Sequence, residues 1–182
     1  MRVEQLQAEY DISVEWRGVE IHPEIPPEGL QLSPEMLARF GGMSDALREE
    51  ARQAGLPLVV PPKISKSRRA LEVAEYAREQ GQHKAFHKLM FRRFYGEGRD
   101  LYDWETLRAT AVDVGLDPDE MQAVVEARQY KMVIARNQQE IFGMGATGAP
   151  LFVFDEKVAV VGLRPYAAFQ EVMEYLAQED ES

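Results

Sequence analysis

The chain has 182 residues, 45% of them hydrophobic, and its 31 acidic and 21 basic residues give a formal net charge of −10. This balance argues against a nucleic-acid partner, which needs a clustered basic face. The chain contains no cysteine, which excludes disulfides, thiolate metal sites and a thiol nucleophile from these residues.

The N-terminal residues begin inside a helical pattern, with Val3, Leu6 and Tyr10 at the spacing of one amphipathic face. No capping residue precedes this pattern, as one would at an ordinary helix start, so the first helix is expected to be cut short. The same residues lack the apolar core of a secretory signal, and no apolar run reaches the ~18 residues of a membrane span. We therefore expect a cytoplasmic protein with no membrane partner.

A strand is predicted over residues 12–21, where Ile12, Val14 and Trp16 alternate with polar residues before Gly18 interrupts the pattern. The segment directly after it is too rich in proline for regular structure and is predicted to be a surface loop.

The middle of the chain is predicted to be helical, with start and stop signals at four places. These are Ser44 to Gly55, Ser67 to Gly81, Asp103 to Val114, and Asp117 with Pro118 for a helix that runs to Phe142. Between them, residues 83–95 carry four apolar side chains that are predicted to form core: Phe86, Met90, Phe91 and Phe94.

Two histidines, His83 and His87, stand four residues apart on that predicted helix and could hold a metal ion. Neither the glutamate of a His-Glu-x-x-His motif nor a third ligand accompanies them. The sequence therefore predicts packing or surface roles for both, and no metal or cofactor.

The basic run is residues 63–69, Lys-Ile-Ser-Lys-Ser-Arg-Arg, next to a predicted helix start. Amide-rich helix starts attract anions, so this run could bind a phosphate or a glutathione carboxylate. The alternative is a solvated helix entry, which is the usual role of a charge run. Both interpretations stay open at this point.

A glycine-rich segment, Gly143-Met144-Gly145-Ala146-Thr147-Gly148, leads through Ala149 into Pro150 and an apolar strand that starts at Leu151. Proline cannot donate to a strand ladder, so it belongs at the first residue of a strand, and it is a candidate for a cis peptide bond. A second strand over 157–162 and an amphipathic helix over 165–177 are predicted to follow.

This order of helix, glycine-rich turn, proline-led hairpin and helix resembles the C-terminal half of a thioredoxin fold. Three further stretches resemble the cytoplasmic FrnE-type branch of the DsbA-like thioredoxin family. They are residues 14–29, residues 67–81 with 85–87 and 97–100, and residues 115–117 with the helix after them. The resemblance implies an α/β thioredoxin-like fold with an inserted helical domain. It places a thioredoxin-like domain in 1–30 and 143–182, and the helical insertion in 31–142.

Members of that family begin with a strand and a Cys-x-x-Cys motif at the start of the first helix, and this sequence contains neither. The family's first strand is central in the sheet, between the strands that correspond here to those near Val14 and Leu151. We expect a truncated gene model, a strand supplied by another chain, or a repacked sheet.

The resemblance implies a protein dithiol–disulfide oxidoreductase whose substrate is a peptide or protein disulfide. It assigns substrate binding to Thr147, Gly148, Ala149 and Pro150, with the backbone N–H and C=O of Ala149 facing an extended peptide. It assigns no catalytic residue here, because the thiols are absent. As it stands the chain is expected to be redox-inactive, so whether it is an enzyme stays open.

Two alternatives come from other functional classes. One is a kappa-class glutathione-dependent isomerase or transferase, of the type of 2-hydroxychromene-2-carboxylate isomerase, which shares the insertion and uses a serine near the first helix. The turn over 161–166 lacks the acidic glutathione contact typical of that class and is closer to the oxidoreductase branch. The other is a non-catalytic thioredoxin-like module that binds peptides and could form a homodimer.

Overall fold

The computed structural model describes residues 2–35, 45–59, 61, 63–145, 149–162 and 164–180. The chain divides into two compact units, one of Met1–Arg17 with Asn137–Ser182 and the other of Gly18–Arg136. The domain boundaries suggested by the family resemblance stay a prediction. Among the described residues, no helix is long and apolar enough to cross a membrane.

The described elements are helices with two short antiparallel pairs of strands. In chain order they are α1 (Arg2–Glu9), β1 (Leu30–Gln31), α2 (Asp45–Gln53), β2 (Lys63–Ile64), α3 (Arg68–Glu79), α4 (His83–Phe91), a π-helical turn (Arg92–Gly96), α5 (Trp104–Asp113), α6 (Pro118–Glu126), α7 (Lys131–Gly143), β3 (Leu151–Phe154), β4 (Val158–Val161) and α8 (Tyr166–Asp180).

The unit Gly18–Arg136 is built on one helical core. Apolar residues on α3, α4, α5 and α6 meet there, together with one residue from each of the loops after α5 and α6. They are Ala70, Val73, Tyr76, Ala77, Phe86, Met90, Leu107, Ala111, Leu116, Met121, Val125 and Tyr130. Two tyrosines at its rim place their hydroxyls on carboxylates, Tyr130 on Glu79 at 2.6 Å and Tyr76 on Glu120 at 3.1 Å. Their rings can be buried because their polar ends are satisfied.

Two of the predicted caps are confirmed. The carboxylate of Asp103 accepts from the backbone N–H of Thr106 at 2.9 Å, and that of Asp117 accepts from two N–H groups of the first turn of α6. Ser67 occupies the cap position of α3, but its side chain accepts no capping hydrogen bond. Its ψ of −12° is already helical, whereas a capping side chain needs an extended residue. Ser44 lies outside the described residues.

The predicted core face of α4 is only partly correct. Phe86 and Met90 are buried, but Phe91 is 53% exposed and Phe94 is half-buried. At 3.6 residues per turn, Phe91 lies about 140° around the helix from Phe86, so one buried face cannot include both. The π-helical turn that starts at Arg92 then rotates Phe94 and Tyr95 away from the positions that a continued α-helix would give them.

The helix predicted from Pro118 to Phe142 is interrupted. α6 ends at Glu126 and α7 starts at Lys131, with Arg128 between them at a φ of 57°. A left-handed residue ends a helix because it turns the chain away from the helical path.

The strand predicted over 12–21 is not formed. Residues 11–20 have no regular secondary structure and belong to neither of the two described sheets. An alternating pattern shows that a segment suits a sheet, but a strand forms only where another strand lies beside it. A short pair that the sequence did not predict joins β1 and β2, with Leu30 opposite Ile64.

In the unit of Met1–Arg17 and Asn137–Ser182, β3 and β4 form the predicted antiparallel hairpin, from Leu151 opposite Val161 to Phe154 opposite Val158. α8 packs on one face of this hairpin through Phe169, whose ring centroid lies 4.8 Å from that of Phe152. The closing helix is thus confirmed, although it starts one residue later than predicted and continues to Asp180.

Candidate functional site

The turn into β3 is the part of the predicted site that the structure describes. The Ala149–Pro150 peptide bond is cis, and both residues are exposed. The carbonyl oxygen of Pro150 accepts from the backbone N–H of Gly162 at 2.8 Å, which joins the turn to the end of β4. The other two predicted site residues, Thr147 and Gly148, lie outside the described residues.

This hydrogen bond determines which backbone groups of β3 face away from β4. In an antiparallel pair, residues that exchange hydrogen bonds alternate with residues whose N–H and C=O groups point outward. Since Pro150 is bonded across to Gly162, the outward groups belong to Leu151 and Val153. Among the described residues β3 pairs with β4 alone, so these groups form an edge that continues from Ala149.

The two faces of the hairpin differ. Phe152 and Phe154 lie against Phe169 of α8, whereas Val153 and Val161 are 42% and 44% exposed on the opposite face. The site is therefore an extended edge with an apolar flank and not an enclosed cavity. Such an edge suits an extended segment, either a peptide or the strand that the family resemblance places beside Leu151.

Two ionisable side chains of this unit, Arg17 and Tyr166, form contacts within the protein. The guanidinium of Arg17 lies 2.8 Å from Glu140 and 3.0 Å from Glu15, and these contacts, led by Glu15, raise its pKa. Burial and a hydrogen bond to Glu9 raise the pKa of Tyr166 to about 12, so its hydroxyl stays protonated at neutral pH. With no cysteine in the sequence, this unit supplies no thiol nucleophile.

The basic run lies in the other unit, where its cationic side chains bind carboxylates and carbonyls of the protein itself. Lys63 lies 2.6 Å from Asp100, and Arg68 lies 2.7 Å from Glu72. Arg69 donates to the carbonyl of a tyrosine at 2.6 Å, and its guanidinium also covers two aromatic rings. These contacts support the structural interpretation of the run over the anion site.

Lys66 has a specific role within this run. Its ammonium donates to the carbonyls of Pro23 and Ile25 at 3.0 and 2.7 Å, and it lies 3.7 Å from the buried carboxylate of Glu20. One side chain therefore fixes the proline-rich loop, which the residue pattern predicted only as a surface loop. A lysine that binds main-chain carbonyls over 40 residues away leaves no pattern in the sequence.

The two histidines form part of a ring stack. The rings of His83 and His87 are 5.8 Å apart, and that of His87 stacks on Phe91 at 4.5 Å. Burial, with a smaller effect of the nearby His83, lowers the pKa of His87 to about 4. Within the described part of the chain no three potential ligands cluster as a metal site would require.

Comparison with known proteins identifies the family of this chain. A family model described as the DSBA-like thioredoxin domain matches residues 1–174. The chain belongs to this family. The predicted resemblance and the thioredoxin-like fold class are thereby confirmed at the level of the family.

The relatives of this DSBA-like chain carry two different names. A 2-hydroxychromene-2-carboxylate isomerase from Sphingobium xenophagum is 28% identical over 148 residues, which are 80% of this chain and 75% of the relative. A solved structure described as a probable DsbA oxidoreductase from Streptomyces coelicolor is 27% identical, with a TM-score of 0.84 over 98% of this chain and 82% of that one. A second solved structure, of a 2-hydroxychromene-2-carboxylate isomerase, is 19% identical, with a TM-score of 0.76 over 99% and 89% of the two chains, and shows the shared fold alone.

Proposed function

We propose that this chain is of the DsbA dithiol–disulfide oxidoreductase type, in the cytoplasmic FrnE-type branch, and that it provides a substrate-binding turn. The observation that carries the proposal is the exposed Ala149–Pro150 turn at the start of the β3 edge. The backbone of Ala149 would bind an extended peptide next to its disulfide. Thr147 and Gly148 would complete the turn.

The geometry at the turn supports this role. Pro150 has no N–H, and its carbonyl is already bonded to Gly162. Of the two exposed residues of the turn, Ala149 is therefore the one with an N–H to offer to a substrate. A peptide that exchanged two backbone hydrogen bonds with it would gain about 1 kcal/mol from each.

The chemistry needs thiols that this sequence does not contain. In the proposed reaction a thiolate attacks the substrate disulfide, a mixed disulfide forms, and one substrate sulfur leaves as a thiolate. A second thiol then displaces the other substrate sulfur, so the enzyme is oxidised to a disulfide as the substrate is reduced. The 182 residues alone should therefore be inert towards disulfides.

The experiment extends this chain with a preceding strand and helix turn that carry Cys-x-x-Cys, and measures reduction of a peptide disulfide. Activity with Cys-x-x-Cys and none with Ser-x-x-Ser at the same positions is the expected result. A peptide N-methylated next to its disulfide loses the N–H that would donate to the carbonyl of Ala149, and the loss of this one hydrogen bond should slow its reduction about 5-fold. Equal rates for the methylated and unmethylated peptides would refute the role of Ala149.

A second candidate function is a glutathione-dependent isomerase of the kappa class. It is supported by the relative from Sphingobium xenophagum, which carries the isomerase name. Against it, the turn over 161–166 contains no acidic residue of the kind that the resemblance associates with glutathione binding in that class. Residue 163 of this turn lies outside the described residues.

Titration calorimetry with reduced glutathione separates the two candidates. Saturable binding to this chain, competed by S-methyl glutathione, would favour the isomerase. Without glutathione binding, the oxidoreductase is the better candidate. A chain that binds peptides but stays inert with Cys-x-x-Cys in place would instead be a non-catalytic module.

A further inference from the structure

A row of cations on α4 and the π-helical turn after it has no ionic partner among the described residues. Lys84, Lys88 and Arg92 are exposed and follow one another at intervals of four residues, which places them side by side on the helix surface. In the ranges that the structure covers, the side chains of these three form no ion pair or hydrogen bond. The neighbouring Arg93 is different, since its guanidinium lies 2.6 Å from the carboxylate of Asp113.

The local composition is the opposite of the chain's average. Residues 83–96 contain four Lys or Arg and no Asp or Glu, whereas the whole chain has 31 acidic and 21 basic residues. Opposite charges three or four residues apart on a helix can pair and stabilise it. The sequence of this segment offers the row no such partner.

A row of three rings, two of them exposed, runs beside the cations. The ring of Phe91 lies 4.5 Å from that of His87 and 5.7 Å from that of Tyr95. Phe91 and Tyr95 are 53% and 43% exposed, which is unusual for two adjacent large rings. His87 is neutral at neutral pH, since burial lowers its pKa to about 4, and so it adds an uncharged ring to the row.

The apolar row continues past the end of the helix. The backbone N–H of Val59 donates to the carbonyl of Tyr95 at 2.7 Å, and Val59 is 38% exposed there. We call the surface formed by the three cations with His87, Phe91 and Tyr95 the basic aromatic face.

We propose that the basic aromatic face binds an acidic amphipathic helix of a partner protein. A stripe of apolar rings beside a row of cations matches a helix with apolar residues at i, i+3 and i+4 and carboxylates along one flank. Complementary charge would fix the orientation of that helix and speed the encounter.

The net charge of the chain decides against the other anionic partners. A nucleic acid or an anionic membrane extends over many Debye lengths and meets the field of a protein with a net charge of −10. A helix of four or five turns can engage the local cations without meeting the rest of that field. The observations therefore favour the acidic helix.

The test uses an 18-residue fluorescein-labelled helical peptide with leucine at the apolar positions and glutamate on one flank. Its binding to the full chain is followed by fluorescence anisotropy at 50 and 300 mM salt. We expect saturable binding that weakens with salt. The triple variant Lys84→Glu, Lys88→Glu, Arg92→Glu should weaken it at least ~10-fold, since three favourable contacts become repulsive.

A matched triple variant controls for total charge. Arg52→Glu, Arg99→Glu and Lys131→Glu reverse three other exposed cations of the same unit and should change the affinity less than twofold. Phe91→Ser, which removes one exposed ring, should weaken binding with the charges intact. Circular dichroism confirms that each variant is folded.

Three results would overturn the proposal. The first is no saturable binding of the peptide at 1 mM protein. The second is an equal loss of affinity in the two triple variants. The third is binding of a 20-nucleotide single strand or of phosphatidylserine vesicles in preference to the peptide, which would make the face a site for polyanions.

Discussion

Replacing His87 with leucine should remove part of the acid sensitivity of the folded state. In the native protein the pKa of His87 is lowered to about 4 by burial, with a smaller effect of the neighbouring His83. In the unfolded chain the imidazole titrates near its ordinary value of about 6.5. As the pH falls below that value, the unfolded state binds a proton that the folded state does not, so the free energy of unfolding decreases.

The magnitude of this decrease comes from the two pKa values. Each pH unit between the two pKa values corresponds to about 1.36 kcal/mol in the free energy of unfolding. Without allowance for solvent, the loss at pH 5 is about 2 kcal/mol. Because the ring of His87 keeps some contact with solvent, we take about half of this, ~1 kcal/mol, as the expected loss between pH 7.5 and pH 5. The contribution of the neutral imidazole to the free energy of unfolding is complete above the ordinary pKa. It declines as the pH falls, until the pH reaches the lowered pKa of the folded state.

Urea unfolding followed by circular dichroism at pH 7.5, 6.5, 5.75 and 5 measures this loss. Between pH 7.5 and pH 5 the free energy of unfolding should fall more steeply for the unchanged protein than for His87→Leu. The variant should lose about 1 kcal/mol less over this range. Phe91→Leu is the matched control, because it removes the ring stacked on His87 but keeps the imidazole. Parallel slopes for the protein and His87→Leu would refute the argument.

Further substitutions test the core and the caps, each read as a shift in the urea midpoint. Leu107 is fully buried, so Leu107→Ala should cost about 2–5 kcal/mol and Leu107→Met less than about 1.5 kcal/mol; similar costs for the two would contradict the packing argument. Asp103→Ala should cost about 1 kcal/mol because it leaves the N–H of Thr106 without its cap, while Asp103→Asn should restore most of it. Tyr130→Phe removes the hydrogen bond to Glu79 at 2.6 Å and should cost about 1–3 kcal/mol; no change would mean that water satisfies that carboxylate equally well.

Local rules predicted the elements that local contacts determine. The caps at Asp103 and Asp117 and the hairpin that starts at Pro150 depend on residues within a few positions of one another. The structure contains each of them close to its predicted place. The same holds for the buried pair Phe86 and Met90, which are one turn apart.

Two predictions failed where the local pattern did not specify the outcome. Residues 12–21 alternate as a strand does, but no strand of either described sheet lies beside them. The helix from Pro118 broke where Arg128 adopts a positive φ, although arginine is not a residue that favours that conformation. Neither outcome could be read from the local pattern.

The candidate site was only partly predictable. A proline before an apolar strand indicated the turn at Ala149 and Pro150, and the structure shows both of them exposed. The outward-facing backbone of Leu151 and Val153 is set by the register with β4, which no residue type specifies. The binding roles of Thr147 and Gly148 stay predictions.

The edge of β3 also bears on how the isolated chain behaves in concentrated solution. Leu151–Phe154 is a short apolar strand without a charged side chain, and its outward N–H and C=O groups match those of an identical strand. Natural sheets interrupt such edges with lysine or proline, and here the proline stands only at the very start. Edge-to-edge association between molecules of this chain is therefore expected to increase as the concentration rises. The mutual repulsion of molecules with a net charge of −10 opposes it, and added salt weakens that protection.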